Sequence, residues 1–180
     1  PDTRFTGREI CFNFNEDSLT ITDVTVKSQP VILSRVPYFG NAYSHQGWTT
    51  EDRRFLLLND ELDELNGLNN GFTQTYIWNI QSLTNPEHFG NFFSPVQSID
   101  HNLYIIGNRS FQTNYATGLR ILNLDGIANG ILREIASFDV RPEVNDIAFW
   151  GSWSNYPFFA SGNIPVQSIE RGLFILRPTI

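Results

Sequence analysis

Two histidines stand at equivalent places in a repeated motif and could share a ligand. His45 lies in the stretch Ser44–Trp48, and His101 lies one repeat later in the similar stretch Asp100–Tyr104. A third copy of the motif carries Trp150 at that place. Metal sites usually take three or four ligands, and the pair has no neighbouring Cys and no HxH spacing. Two interpretations stay open: a shared ligand or metal, or histidines that only hydrogen-bond a neighbouring unit.

A second candidate site is a run of acids that precedes a loop rich in Asn and Gly over 66–71. The acids are Asp60, Glu61, Asp63 and Glu64. Calcium prefers carboxylate and amide oxygens on flexible loops, so the run predicts a calcium site. The spacing does not fit an EF-hand. The alternative is a solvated acidic loop that keeps an exposed strand edge from aggregating.

Catalytic motifs are not found in this sequence. It contains no GxSxG, no HExxH and no phosphate-binding glycine loop. Ser44 and His45 are neighbours, and on a strand their side chains would point to opposite faces, which opposes a nucleophile–base pair. We therefore predict no catalytic residue and favour a non-enzyme. The aromatic cluster over 149–159 is interpreted as core between repeats, or as a platform for carbohydrate or protein.

The elements that must position these residues are short, alternating strands. Four runs alternate over a few residues and end in a polar residue; these residues are Asp23, Asn79, Asn123 and Arg177. A unit of several strands repeated about every 40–50 residues is typical of a propeller blade. A β-sandwich needs no such repeat.

The sequence therefore predicts an all-β propeller segment over 1–180, a partial ring of about four blades built from four-stranded antiparallel sheets. The blades are expected at 43–93 and 97–140, with partial blades at 8–38 and 146–178. The first unit lacks its first strand and the last unit lacks its last. Because open sheet faces and edges need cover, we expect the remaining blades to come from the same chain, from another chain or from self-association.

Composition limits the partners. The 180 residues carry 12 basic and 19 acidic side chains, a net charge of −7, which argues against nucleic acid and against an anionic membrane surface. The sequence has no apolar run long enough to span a bilayer. Its single cysteine, Cys11, is interpreted as a buried strand thiol or as the partner of a cysteine outside this sequence.

Several long motifs resemble one family. They are GREICFNFNEDSLTITDVT, SHQGWTTEDRRFLLLNDELDE, IDHNLYIIGNRSFQTNYATGLRILNL, and WGSWSNYPFF with IERGLFILRP. Together they cover almost the whole chain in order and are similar to the C-terminal half of choice-of-anchor B family proteins, which carry LVIVD-type repeats. The resemblance implies a β-propeller that is secreted or displayed on the cell surface, and it implies no established activity.

The expected function is therefore a non-enzymatic extracellular scaffold or binding module for protein or carbohydrate partners. One alternative is a propeller hydrolase or lyase whose site lies at the channel mouth near His45 and His101. Another is a structural subunit of a larger extracellular assembly or homo-oligomer. No cofactor other than calcium is suggested by the residues.

Overall fold

The chain folds into four antiparallel sheets. A computed structural model describes residues 1–144 and 146–180. Blade 1 consists of β1 (Ile10–Phe14), β2 (Leu19–Asp23) and β3 (Val31–Val36). Blade 2 consists of β4 (Ser44–Thr49), β5 (Phe55–Asp60), β6 (Phe72–Asn79) and β7 (Glu87–Gln97). In each sheet the strand order follows the chain order, so every blade is a simple meander.

The second half repeats this plan. Blade 3 consists of β8 (Asn102–Ile106), β9 (Arg109–Thr113), β10 (Leu119–Asn123) and β11 (Arg133–Phe138). Blade 4 consists of β12 (Ser152–Asn155), β13 (Ile164–Ser168) and β14 (Gly172–Leu176). Helix is limited, over the described ranges, to the short 3₁₀ turns Thr3–Phe5, Leu68–Gly71 and Ile127–Asn129, and none of these could cross a membrane. The all-β prediction is confirmed.

Equivalent polar residues end equivalent strands, as the repeat predicts. Asp23, Asn79 and Asn123 are the last residues of β2, β6 and β10. Each side chain accepts a hydrogen bond from the backbone N–H two residues later, at 2.9, 3.1 and 2.8 Å respectively. This Asx-turn explains why the repeat keeps a short side-chain oxygen there. Since β6 and β10 are third strands, blade 1 has no counterpart of β4 among its strands, and blade 4 none of β7.

Apolar residues hold the blades together at three interfaces. On β5, Leu56 and Leu58 pack into the core between blades 1 and 2, whereas Phe55 and Leu57 pack into the core between blades 2 and 3. Successive side chains of a strand point to opposite faces, so one strand serves two cores. A third core, which includes Val166, joins blades 3 and 4. Each fully buried side chain of this kind contributes about 1.5–3 kcal/mol.

The outward faces of the terminal blades differ in character. On β14, Leu173 and Ile175 are 63% and 58% exposed, while the side chains between and after them pack on blade 3. On blade 1 the side chains of Asn13 and Thr22 are hydrogen-bonded to each other at 3.1 Å. Cys11 is a free, half-buried thiol on β1. Cover of these faces by further blades stays a prediction.

Candidate functional site

The structure brings the two predicted histidines together at the inner edge of the arc. The first strands of blades 2, 3 and 4, which are β4, β8 and β12, lie next to one another. His45 belongs to β4, and His101 directly precedes β8. Their imidazole rings stack with centroids 4.4 Å apart and planes inclined by 20°. The inner strands of adjacent blades thus place these rings in contact.

A β-bulge aims the His45 side chain. Ser44 pairs with Asp60 and Gln46 pairs with Asn59, so His45 is the extra residue between two pairs of the ladder. Bulges locally bend a strand and re-aim side chains, often beside functional sites. The sequence carried no signal for this bulge.

Trp153, and not Trp150, is the counterpart of His45 in blade 4. The register shift of β12 leaves Trp153 as the extra residue, and its ring lies 4.4 Å from that of His101. Trp150 is placed elsewhere: its indole Nε1 donates to Asp146 at 3.1 Å, and Arg141 lies over its ring. The sequence motif places the position equivalent to His45 three residues too early, because Trp150 and Trp153 lie on either side of the same Gly-Ser pair.

Glu61 joins the two histidines. His45 Nε2 lies 3.9 Å from Glu61 Oε2, and His101 Nε2 lies 3.5 Å from Glu61 Oε1. The Tyr115 hydroxyl donates to Glu61 Oε1 at 2.6 Å. The sequence predicted Glu61 as part of the calcium run, and this link was not predicted. In the antiparallel β4–β5 hairpin, Ser44 pairs with Asp60 and the backbone N–H of Glu61 donates to Tyr43, so His45 and Glu61 lie diagonally across the Ser44–Asp60 pair.

Backbone carbonyls hold both rings from behind. His45 Nδ1 lies 3.3 Å from the carbonyl oxygen of His101, and His101 Nδ1 lies 2.5 Å from that of Trp153. A contact from a histidine Nδ1 to a backbone carbonyl oxygen therefore links blade 2 to blade 3 and blade 3 to blade 4. Burial lowers the pKa of His101. The hydrogen bond to Trp153 opposes this effect, the neighbouring His45 lowers the pKa further, and the charge of Glu61 raises it.

Asp60 has a structural role and does not share an ion site with the neighbouring acids. Its buried carboxylate accepts hydrogen bonds from the Tyr38 hydroxyl (2.8 Å) and from the backbone N–H groups of Ala42 (2.9 Å) and Tyr43 (2.6 Å). These donors belong to the connection between β3 and β4. Asp60 thus fastens blade 1 to blade 2.

Asp63 and Glu64 form a buried acid pair close to Asp100. The three residues are at most 2% exposed, and both carboxylate oxygens of Asp100 are without a hydrogen-bond partner among the described residues. Burial raises the pKa of Asp63 to about 7. Burial also raises the pKa of Glu64 and the pKa of Asp100, and for Asp100 the nearby charge of Glu64 adds to the effect. The interpretation as a solvated acidic loop is wrong, because these acids are inside.

The four acids proposed for calcium therefore divide among three environments. Asp60 binds the β3–β4 connection, Glu61 faces the histidines, and Asp63 and Glu64 face each other. Over residues 1–144 and 146–180, the group of three or more ligating side chains whose ligand atoms lie within 4.8 Å of one another is His45, Glu61 and His101. Calcium at Asp63 and Glu64 stays a prediction.

A row of aromatic rings runs from the first strands of blades 2 and 3 to the β12–β13 connection of blade 4. We call it the aromatic stripe; it comprises Trp48, Tyr104, Tyr156, Phe158 and Phe159. Neighbouring centroids lie between 5.0 and 5.9 Å apart. The rings of Tyr156, Phe158 and Phe159 are 40–52% exposed, so the interpretation of this segment as core between blades is wrong.

Comparisons with known proteins identify the fold. No family model and no curated protein matches the chain. Among solved structures, the Pseudomonas aeruginosa periplasmic gluconolactonase PpgL matches 96% of this chain and 50% of its own, with a TM-score of 0.65 and 14% identity. The Cps50 (Swd1) β-propeller domain of Myceliophteria thermophila matches 93% of this chain and 50% of its own, at 0.57 and 10%. The chain is a β-propeller segment.

Two further structures set the scale of the match. A Lactobacillus plantarum protein matches 93% of this chain and 52% of its own, with a TM-score of 0.66 and 10% identity. The computationally designed Ika4 protein matches 94% of this chain and 84% of its own, at 0.58 and 8%. The chain thus spans about half the length of three of these four proteins, and at such identities the likeness concerns the fold alone.

Proposed function

We propose that this chain is a β-propeller binding module that recognises neutral carbohydrate on its inner surface. The observation that carries the proposal is the aromatic stripe, which is contiguous and, except for the half-buried Tyr104, exposed to solvent. Exposed Trp and Tyr rings offer flat apolar faces beside polar edges, a surface that suits the C–H faces and hydroxyl rims of sugar rings. Scattered single aromatics on a surface need no explanation, whereas a contiguous patch marks an interaction site.

The charge of the chain favours a neutral ligand. At a net charge of −7 the protein repels polyanions such as nucleic acid or sulfated glycans at a distance. Membership of the choice-of-anchor B family and an extracellular location are part of this proposal, and they are supported by the sequence motifs quoted above. A protein ligand is the other outcome that the experiment below separates.

Affinity electrophoresis in gels that contain xylan, mannan or β-glucan tests the proposal. We expect at least one of these polysaccharides to retard the protein, and the double variant Trp48→Ala, Phe158→Ala to lose roughly tenfold in affinity, since each aromatic contact contributes about 0.5–1.5 kcal/mol. The matched control is Phe39→Ala, whose ring is 87% exposed and lies outside the stripe. Migration unaffected by all three polysaccharides would reject neutral glycans and leave a protein ligand.

A propeller hydrolase is the second candidate, and the convergence of His45, Glu61 and His101 favours it. A carboxylate beside two imidazoles is a common arrangement for activating water. Because one similar structure is a gluconolactonase, hydrolysis of glucono-δ-lactone is the first assay. This candidate predicts turnover that falls at least 100-fold in Glu61→Gln. Hydrolysis no faster than the uncatalysed rate would remove this substrate and leave the binding module.

A further inference from the structure

We propose that His45, Glu61 and His101 bind a divalent transition metal ion. Zinc is the cation expected in the absence of competing transition metals. The three side chains come from two blades and meet at one point of the inner surface. This proposal does not depend on carbohydrate binding, because the aromatic stripe contains none of these residues.

The hydrogen bonds of the two rings leave the right atoms free. A carbonyl oxygen can only accept, so the contact from His45 Nδ1 to the carbonyl of His101 places the proton of that ring on Nδ1. His101 Nδ1 lies 2.5 Å from the carbonyl oxygen of Trp153 and 2.7 Å from the side-chain amide nitrogen of Asn102, so it faces both an acceptor and a donor. His45 Nε2 then carries a lone pair, His101 Nε2 does so when its Nδ1 proton is donated to the Trp153 carbonyl, and both Nε2 atoms face Glu61. Histidines that ligate metals are typically fixed in this way by a carbonyl behind the ring.

Two lone pairs and a carboxylate facing one another repel unless a cation lies between them. The cation is either a proton on one imidazole or a metal ion. The separations of 3.5 and 3.9 Å are longer than a charge-assisted hydrogen bond, which is about 2.7–2.9 Å. A metal ion satisfies all three groups at once.

The spacing is close to that of a zinc site. Zinc bonds to nitrogen and oxygen of about 2.0–2.2 Å at tetrahedral angles put neighbouring ligand atoms about 3.3–3.6 Å apart. Closing the present distances therefore takes shifts of a few tenths of an ångström, together with a tilt of the two stacked rings so that their lone pairs converge. His45 and Glu61 are surface-accessible at 24% and 15% of their side chains, which leaves room for water or a ligand to complete the coordination.

The donor set selects the type of metal. Two imidazoles and one carboxylate suit zinc, copper, nickel or iron(II), whereas calcium and magnesium prefer oxygen alone. The Tyr115 hydroxyl, which donates to Glu61 Oε1, supplies the outer hydrogen bond that such carboxylates usually have.

Calorimetry with chelator-stripped full chain and ZnCl₂ tests the site. We expect one zinc per chain and a higher melting temperature in zinc. Binding should weaken by on the order of 100-fold in His45→Gln and in Glu61→Gln, and by roughly tenfold in Tyr115→Phe. The matched control is His88→Gln, since His88 is the exposed histidine of β7 and should leave zinc affinity unchanged. Cobalt(II) added to the same proteins should give the visible absorption of a low-symmetry site only where zinc binds.

Two results would overturn the proposal. One is a stripped parent protein that shows neither zinc-dependent heat nor a thermal shift. The other is zinc binding that survives unchanged in both His45→Gln and Glu61→Gln. Circular dichroism reports whether each variant is folded. If the Glu61→Gln change disturbs the fold, the result for His45→Gln is used, because His45 is accessible. The Trp48→Ala, Phe158→Ala protein should keep its zinc affinity, so failure here and failure of carbohydrate binding are distinguishable.

Discussion

Replacing Asp60 by alanine should destabilise the protein by about 4 kcal/mol, a fall of roughly 10 °C in melting temperature. The carboxylate is completely buried and accepts hydrogen bonds from Tyr38, Asn41, Ala42 and Tyr43. Removing it leaves two backbone N–H groups and a tyrosine hydroxyl without an acceptor, and each unsatisfied buried donor costs about 1–3 kcal/mol. Urea unfolding followed by tryptophan fluorescence measures the loss.

Asp52→Ala is the matched control for this prediction. Asp52 lies in the β4–β5 turn of the same blade and also accepts two hydrogen bonds, yet it is exposed, so water replaces it and the loss should be within about 1 kcal/mol. Asp60→Asn keeps one acceptor oxygen and should fall between the two. Equal stability of Asp60→Ala and Asp52→Ala would mean that Asp60 does not join blades 1 and 2.

Local patterns in the sequence were enough to predict the blades. The Asx residue at the end of the third strand of blades 1, 2 and 3 accepts a hydrogen bond from the backbone of the following turn, so Asp23, Asn79 and Asn123 recur in the chain as they recur in space. Alternation within β5 likewise reflects two cores on the two faces of one sheet.

The site was only partly predictable, because it depends on contacts between blades. Repeat position alone indicated that His45 and His101 occupy equivalent places. Pairing their rings with Glu61 requires the hairpin register and a β-bulge, and a bulge is one extra residue that no local pattern marked. The same irregularity displaced the third position from Trp150 to Trp153. Burial of acids is also a tertiary property, and the run over 60–64 reads as solvated until the β3–β4 connection covers Asp60 and β6 contacts Asp63 and Glu64.

The buried acids make the stability of the protein fall as pH rises. Asp63 has its pKa raised from 3.8 to about 7 by burial and by the charge of Asp60, against the favourable bonds from Glu64 and Tyr76. Below about pH 3.8 the Asp63 carboxyl is protonated in both the folded and the unfolded chain, so its contribution to stability is fully present. Between about 3.8 and 7 the unfolded chain releases its proton while the folded chain keeps it, so stability falls, and above about 7 the loss is complete. About three pKa units correspond to about 4 kcal/mol.

The comparison of Asp63→Asn with the parent protein isolates this effect. Asparagine carries no charge and keeps an oxygen for the Tyr76 hydroxyl, which donates to Asp63 at 2.9 Å. We expect the two proteins to have similar melting temperatures near pH 4, and the variant to melt roughly 10 °C higher near pH 8 in chelator. The lowered pKa of His101 acts in the opposite direction on the acid side, and it cancels because both proteins contain it. Glu87→Gln, an exposed change on β7, should follow the parent protein throughout.

Calcium added at pH 8 separates two accounts of the same cluster. If Asp63 and Glu64 bind calcium, as the acidic run predicts, the ion replaces the missing protons and raises the melting temperature of the parent protein but not of Asp63→Asn. If they are a proton-sharing pair, calcium changes neither. Parallel pH profiles for parent and variant would contradict the proton-sharing account, because they would show that the carboxyl of Asp63 ionises equally well in the folded and unfolded chains.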